Sequence, residues 1–441
     1  MAPTRRPSDG LLARVNFPLY AVDMLTSRHI LVAGGGGSSK TGVANGFEIY
    51  ELYHNGSHFC AEEVLRHETG ANVVMNFAVR NSGRRAYLCA GQEAHCQMYF
   101  VQPQLDITSD ASMDKKLTQS DHPHENGVRH RGVQPHSGVE TLSNGNNCHP
   151  PTAADVLKQF QRLQFDIQAA DVIQTDFLSN GEPLQRVVRI SSNGRLMATG
   201  GTDGQLRVWT FPQMQLSTSW PAHNKEIDDL DFSPDCKYIV SISKDAQGIV
   251  WDLSTGKQQH KLKWQTQEGN KYLFKRCRYG TVEGHKDNYR LFTVTNPLGK
   301  VGKQRGFVQQ WDCKNGELRV AASVDESLSS LAVRDDGRFV AVGTMFSGSV
   351  SIYVAFSLQR VLHIPHAHSM FVTGLQFLPI TNEEGPPISS DTEAAVLSIS
   401  VDNKVCIHSL PQRKTIPAWL AVVFMVIMIF IVLVLCSYIG I

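Results

Sequence analysis

Nine consecutive residues near the start of the chain, Gly34, Gly35, Gly36, Gly37, Ser38, Ser39, Lys40, Thr41 and Gly42, come within one position of spelling a phosphate-binding loop. Such a loop needs glycine directly before its Lys-Ser/Thr pair, so that backbone N–H groups can wrap the phosphates. Here that place is Ser39. The flank differs too, since Asn45 and Gly46 lead into the alternating Phe47, Glu48, Ile49 and Tyr50, a strand pattern where a nucleotide-binding loop requires a helix. The residues therefore predict a loop that handles something other than a nucleotide of its own. Carbonyls turned inward from such a loop would suit a weakly hydrated monovalent cation, and a rigid protrusion could wedge into a partner. Lys40 adds one positive charge at the tip, able to meet a phosphate or an acidic residue.

Two other constellations invite chemical readings. Ser243, Asp245 and His223 supply the residue types of a hydrolase triad, but no Gly-x-Ser-x-Gly surrounds Ser243. The repeat described next accounts for their spacing, together with Trp251, as a structural hydrogen-bond network. His122, His124, His130, His136 and His149 lie in a polar stretch that reads as solvated loop, and the adjacent pairs His95–Cys96 and Cys148–His149 cannot easily supply two tetrahedral metal ligands. The nine cysteines are scattered with no Cys-x-x-Cys, which points to reduced thiols.

The elements that position the loop follow from a repeat. The segment Ala198 to Trp209 recurs as Val240 to Trp251, a step of 42 residues that matches Asp203 to Asp245 and Trp209 to Trp251. A strand, an Asp-bearing tight turn and a strand ending in Trp at that period are the signature of WD-repeat propellers. The six-residue offset from turn to aromatic continues with weaker residues at Glu93 and Tyr99, Arg305 and Trp311, Ser347 and Tyr353, and Asp402 and His408. With a first unit at Phe17 to Tyr53, this predicts an all-β, seven-bladed propeller. Tyr50 lies seventeen positions after Ala33, whereas Trp209 lies eleven after Ala198, so the first blade's turn is six residues longer. That excess is the glycine loop, and polar loops on rigid scaffolds are where function concentrates.

A formal net charge of +1 gives no global field for nucleic acid, and no helix-turn-helix or zinc finger is present, so DNA binding is disfavoured. From Thr415 to Ile441 no residue is charged, and Ala418 to Ser437 as a helix would span about 30 Å, enough to cross a bilayer's hydrocarbon core. Trp419 and Tyr438 stand at interfacial positions, and Arg413 and Lys414 precede the run, which places everything before it in the cytosol. The expected organisation is a tail at 1–16, a cytosolic propeller at 17–410, a juxtamembrane segment at 411–417, a transmembrane helix at 418–438 and a lumenal end at 439–441. A flexible polar insertion at 103–153 is expected between the second and third blades.

The loop Gly34 to Gly46, the segment Gln174 to Phe177, the turn Gly200 to Gly204, the stretches Ala90 to Gln97 and Tyr353 to Leu358, and the apolar C-terminal run together make the chain resemble the endoplasmic-reticulum exchange factors for the Sar-type small GTPase. The resemblance implies a propeller facing the cytosol from the endoplasmic reticulum membrane, which releases GDP from that GTPase without covalent chemistry so that coat protein complex II assembles. It also implies that the first-blade loop binds potassium and contacts the GTPase, with Lys40, Thr41 and Asn45 as its main polar positions and the potassium ligands unassigned. A membrane-tethered propeller scaffold without exchange activity is the alternative that repeats and anchor would equally support.

Overall fold

Short stretches of alternating polar and apolar residues, bounded by Asp, Asn, Gly and Ser turns, give strands rather than helices along almost the whole chain. The computed structural model describes residues 10–37, 42–83, 85–107, 161–264, 271–299, 305–380, 388, 392–412 and 418–439. The strands are β1 (Leu11–Arg14); β2 (Leu19–Met24), β3 (His29–Gly35), β4 (Asn45–His54) and β5 (Phe59–Glu68); β6 (Asn76–Asn81), β7 (Ala86–Gln92), β8 (His95–Ile107) and β9 (Gln161–Gln174); and β10 (Gln185–Ile190), β11 (Leu196–Gly201), β12 (Gln205–Thr210) and β13 (Gln215–Pro221). They continue as β14 (Ile227–Phe232), β15 (Tyr238–Ser243), β16 (Gly248–Asp252) and β17 (Gln258–Leu262); β18 (Tyr272–Val282), β19 (His285–Pro297), β20 (Gly306–Asp312) and β21 (Leu318–Val324); β22 (Leu328–Val333), β23 (Phe339–Thr344), β24 (Val350–Val354) and β25 (Gln359–Ile364); and β26 (Val372–Phe377), β27 (Thr392–Ser400) and β28 (Lys404–Pro411). One helix, α1, spans Ala418–Ile439.

Seven four-stranded sheets result, and the seventh is completed from the other end of the chain, in the order β1-β28-β27-β26. The innermost strands β2, β6, β10, β14, β18, β22 and β26 each meet the next around a closed ring. The core sits between blades. One cluster joins Phe17, Leu19, Ile30 and Val32 of blade 1 to Leu397, Ile399 and Val405 of blade 7, and another joins Val187 and Ala198 of blade 3 to Leu230 and Ile239 of blade 4. No blade covers its own apolar faces, so the ring folds as a unit.

Two boundaries differ from the sequence expectation. Leu11–Arg14, within the stretch read as an N-terminal tail, is the outermost strand of blade 7, with Leu11 opposite Cys406 and Arg14 opposite Lys404. The reason is that a propeller closes cheaply when the first and last segments share one sheet. The polar insertion also falls inside blade 2 rather than after it, because β9 follows the insertion yet completes the sheet β6-β7-β8-β9. Gln102–Asp166 forms a unit of its own, whose described parts are the strand ends 102–107 and 161–166. The five histidines considered as metal ligands lie outside the described residues.

The aromatic on each third strand faces its predicted slot on the second: Tyr50 lies opposite Ile30, Tyr99 opposite Leu88, Trp209 opposite Met197, Trp251 opposite Ile239, Trp311 opposite Leu291, Tyr353 opposite Val340 and His408 opposite Val396. The hydrogen-bond network of blade 4 is present, with one correction. Ser241, not Ser243, is its centre: Trp251 Nε1 donates to Ser241 Oγ at 2.9 Å, and His223 Nε2 lies 2.8 Å from the same oxygen. His223 Nδ1 lies 3.1 Å from Asp245 Oδ2, while burial pulls the imidazole below its ordinary pKa against the pull of Asp245. A neutral ring carrying its proton on Nδ1 satisfies all three contacts. Ser243, at the turn end of the strand, instead donates to Lys225 O at 3.1 Å. Ser241 is fully buried between two ring systems and open to no substrate, which removes the hydrolase reading. Blade 7 repeats the arrangement with His368 between Asp402 at 3.0 Å and Ser398 at 2.8 Å, and with His408 in the place of tryptophan, also 2.8 Å from Ser398.

Ser241→Ala should strand two buried ring nitrogens and cost about 2 to 3 kcal/mol. Ser243→Ala should cost about 1 kcal/mol, a ranking that urea unfolding of the two variants would check. Deleting residues 1–14 should abolish a single cooperative melt in calorimetry, because the edge of β28 and the blade 7 face are then uncovered.

Candidate functional site

The glycine loop is the turn of a β-hairpin, β3 to β4, in blade 1, and a strand follows it as the sequence pattern required. Ser38, Ser39, Lys40 and Thr41 lie outside the described residues, so the site is built here from its two arms. Gly34 pairs with Gly46 and Gly35 with Asn45 at the base.

The glycines there serve close approach. A Cβ on Gly34 would sit 1.8 Å from Pro18 O, and one on Gly46 would sit 2.2 Å from His67 O. Gly35, at φ +147, donates its N–H to Pro18 O at 3.0 Å, and a Cβ there would meet Asn45 Oδ1 at 2.0 Å. Beyond the base the surroundings open. Gly37 and Gly42 hold φ values of +87 and +77, and a Cβ on either would touch nothing within 4 Å. At these two positions glycine answers a backbone need and not a packing one.

Asn45 is the keystone of the base. Its side chain is 4% exposed and acts as a surrogate backbone: Gly37 N donates to Asn45 Oδ1 at 3.0 Å, and Asn45 Nδ2 donates to Gly37 O at 3.2 Å and to Gly70 O at 2.9 Å. Its own carbonyl accepts from Thr69 N at 2.9 Å. The loop's first arm is thereby tied to both its second arm and the connection to blade 2. Val43 and Ala44, on the second arm, pack on the cluster shared by blades 1 and 7. Below them Glu48 is fully buried, accepting from Tyr50 Oη and ion-paired with Arg66 Nε at 2.8 Å; burial pushes its carboxyl up, opposed by those two partners.

Three of the segments that carried the resemblance meet on the same face as this loop. Thr175 N donates to Ala94 O at 2.8 Å and Gln185 N to Glu93 O at 2.6 Å, while Asp203 N donates to Asp176 Oδ2 at 3.1 Å. Asp176 is fully buried and Phe177, the next residue, is 55% exposed. Phe177 is fixed from behind: its N–H donates to Asp203 Oδ2 at 3.2 Å, and the Arg207 guanidinium, itself paired with Asp203 at 2.6 Å, lies 5.0 Å from its ring centre. An aromatic held rigidly outward in this way is the form of a protein-binding anchor. The fourth segment, Tyr353 to Leu358, ends in a turn between the third and fourth strands of blade 6, which the topology puts on the opposite face.

Two features of the loop face escaped the sequence reading. Phe346, Met370 and Phe371 are exposed there, in the turn between β23 and β24 and in the connection from blade 6 to blade 7. Their signal was apolar side chains where turns are ordinarily polar. Blade 5's corresponding connection, 298–305 between β19 and β20, is nearly as long as the nine-residue span 36–44 and carries Lys300, Lys303 and Arg305. It was hidden because the six-residue offset was counted backward from Trp311. Among the described residues no group of three His, Cys, Asp or Glu side chains could hold a metal ion, and the eight described cysteines are free.

Helix α1 presents large apolar side chains to its surroundings, among them Phe424, Met428, Phe430 and Leu433, with no charged residue in its first or last turn. Among the described residues no helix counts as long and apolar enough to cross a membrane, the side chains of Ala418, Ala421 and Ile439 being outside them. The backbone helix has 22 residues and is about 33 Å long.

The WD domain, G-beta repeat model matches residues 184–210 and 214–252, which fall in blades 3 and 4. The chain is 33% identical over 433 residues to the guanine nucleotide-exchange factor SEC12 of Mus musculus, covering 96% of each protein. It is 32% identical to that of Rattus norvegicus over the same shares, and 26% identical to SEC12-like protein 1 of Arabidopsis thaliana over 44% of this chain and 46% of the relative. With that likeness running from end to end over a closed propeller, the chain belongs to the SEC12 family of guanine nucleotide-exchange factors.

Proposed function

We propose that this protein releases GDP from a Sar-type small GTPase at the endoplasmic reticulum membrane, so that GTP binds and coat protein complex II begins to assemble. The observation that carries the reading is the glycine loop of blade 1, clamped at its base by Asn45 and raised on a ring that cannot yield beneath it. Exchange needs no bond to form or break in the factor. It needs the nucleotide-free GTPase to be bound more tightly than the GDP-bound form, so that binding energy is spent on distorting the phosphate site.

A loop free to rearrange would lose that energy to its own ordering. The arms of this one are fixed before the partner arrives, which leaves Lys40 and Thr41 at the tip to meet the GTPase, with Phe177 as a second fixed contact on the same face. The loop holds no carboxylate between Gly34 and Gly46, so its oxygens are carbonyls and the Ser, Thr and Asn side chains. That donor set fits a weakly hydrated monovalent cation, and potassium bound by tip carbonyls would supply the rigidity that glycine lacks.

Helix α1 is read as the membrane anchor. Its length matches a bilayer's hydrocarbon core, and Arg413 and Lys414 before it favour a cytosolic propeller. A GTPase that inserts an amphipathic helix once it holds GTP is then activated beside the membrane it enters.

Asn45→Ala removes three side-chain hydrogen bonds from the loop base and should slow catalysed GDP release by about tenfold or more, while the propeller still melts cooperatively. Release of a fluorescent GDP analogue from the purified GTPase reads it. Lithium in place of potassium should slow the same reaction, and equal rates in the two salts would remove the cation from the mechanism.

A further inference from the structure

The chain leaves the propeller on the face opposite the glycine loop. Strand β28 starts beside the turn 401–403, on the loop face, and ends at Pro411, on the other. Residues 412–417 separate it from α1 and reach at most about 25 Å when fully extended. That opposite face carries the most exposed large apolar residue of the described propeller. Phe356 is 81% exposed in the turn from β24 to β25, at a groove of about 440 Å³ between blades 5 and 6. The groove is lined by Arg290, Arg319 and Arg338 as well as Glu283, and by Glu393 of blade 7. Glu393 follows Thr392, which is the register partner of Pro411, so the groove lies beside the point from which the chain departs for the helix.

We propose that this face rests on the phospholipid surface, with Phe356 entering the interfacial layer and the three arginines meeting headgroup phosphates. The inference rests on α1 being a membrane anchor. A tether of six residues brings the departing face within reach of the bilayer, and an aromatic tip flanked by guanidiniums suits the boundary between headgroup and acyl chain. Arg319 pairs with Asp312 at 3.2 Å and Arg290 donates to Tyr289 O at 3.2 Å and to Asn288 Oδ1 at 3.5 Å, while Arg338 is exposed. Glu283, Asp335 and Glu393 share the face, and the sequence between β26 and β27 holds Glu383, Glu384 and Asp391, so its charge is mixed. The contact is therefore with phosphates that every phospholipid carries, and not with anionic lipid in particular. The glycine loop then points away from the bilayer, toward the cytosol.

The test uses the full chain reconstituted in phosphatidylcholine vesicles, with lipids brominated near the headgroup end of the acyl chain. In Phe356→Trp the added indole should be quenched relative to the unsubstituted chain, whose six tryptophans set the background. Phe356→Asp should still float with the vesicles but lose amide-exchange protection of residues 355–358. Flotation without added quenching, in Phe356→Trp, would overturn the docking while leaving the anchor intact. Failure to float would overturn the anchor reading, and the docking with it. Added quenching with no gain when anionic lipid is included supports the phosphate contact as stated; quenching that appears only with anionic lipid overturns it.

Discussion

Each blade of this ring has two apolar faces and a single fixed width, so its only stable environment is between two others like it. That constraint determines what the rest of the molecule can do. Seven inner strands meet in a closed circle, and the turns on either face are then held at spacings that no single turn can change. Phe17 and Leu19 sit in one cluster with Leu397 and Val405, almost the full length of the chain away. Rigidity at the loops is thus a property of interblade packing, and the loops themselves are free to carry glycine.

The glycine loop shows how this is used. Glycine lowers the cost of tight turns but surrenders more conformational entropy than any other residue when ordered. Asn45 compensates by lending its side-chain amide as one more rung of backbone pairing, and Val43 and Ala44 press the second arm on to the seam between blades 1 and 7. The same economy appears at Phe177, where Arg207 is shared between Asp203 and the ring above it. In both places one polar side chain converts an exposed turn into a stationary one.

The architecture was legible in the sequence because the turn-to-aromatic offset is set by strand length, which drifts little between blades. It held even where Trp had become Tyr353 or His408. The centre of the blade 4 network was misplaced by one pleat, since Ser241 and Ser243 share a side of β15 and only the register with Trp251 distinguishes them. The closing strand could not be read at all: Leu11–Arg14 has four residues and no repeat partner, and its role is defined by β28. Of the candidate site, the loop was visible as excess length, whereas Asn45 as its clamp was not. An asparagine beside a glycine signals a turn, and its bonds to Gly37 and Gly70 arise from the meeting of segments that sequence spacing does not show.

The shared seventh sheet also has a temporal side. Leu11 pairs with Cys406, so this strand leaves the ribosome long before its partner is made. At about 5 to 20 residues per second, that edge waits unpaired for roughly 20 to 80 seconds. During this interval six blades can stack while the toroid stays open along one radial slit, beside which the segment leading to α1 is the next to be synthesised. Closure of the slit and delivery of the apolar helix therefore fall close together in the life of the nascent chain: the first buries apolar blade faces as the second adds new apolar surface.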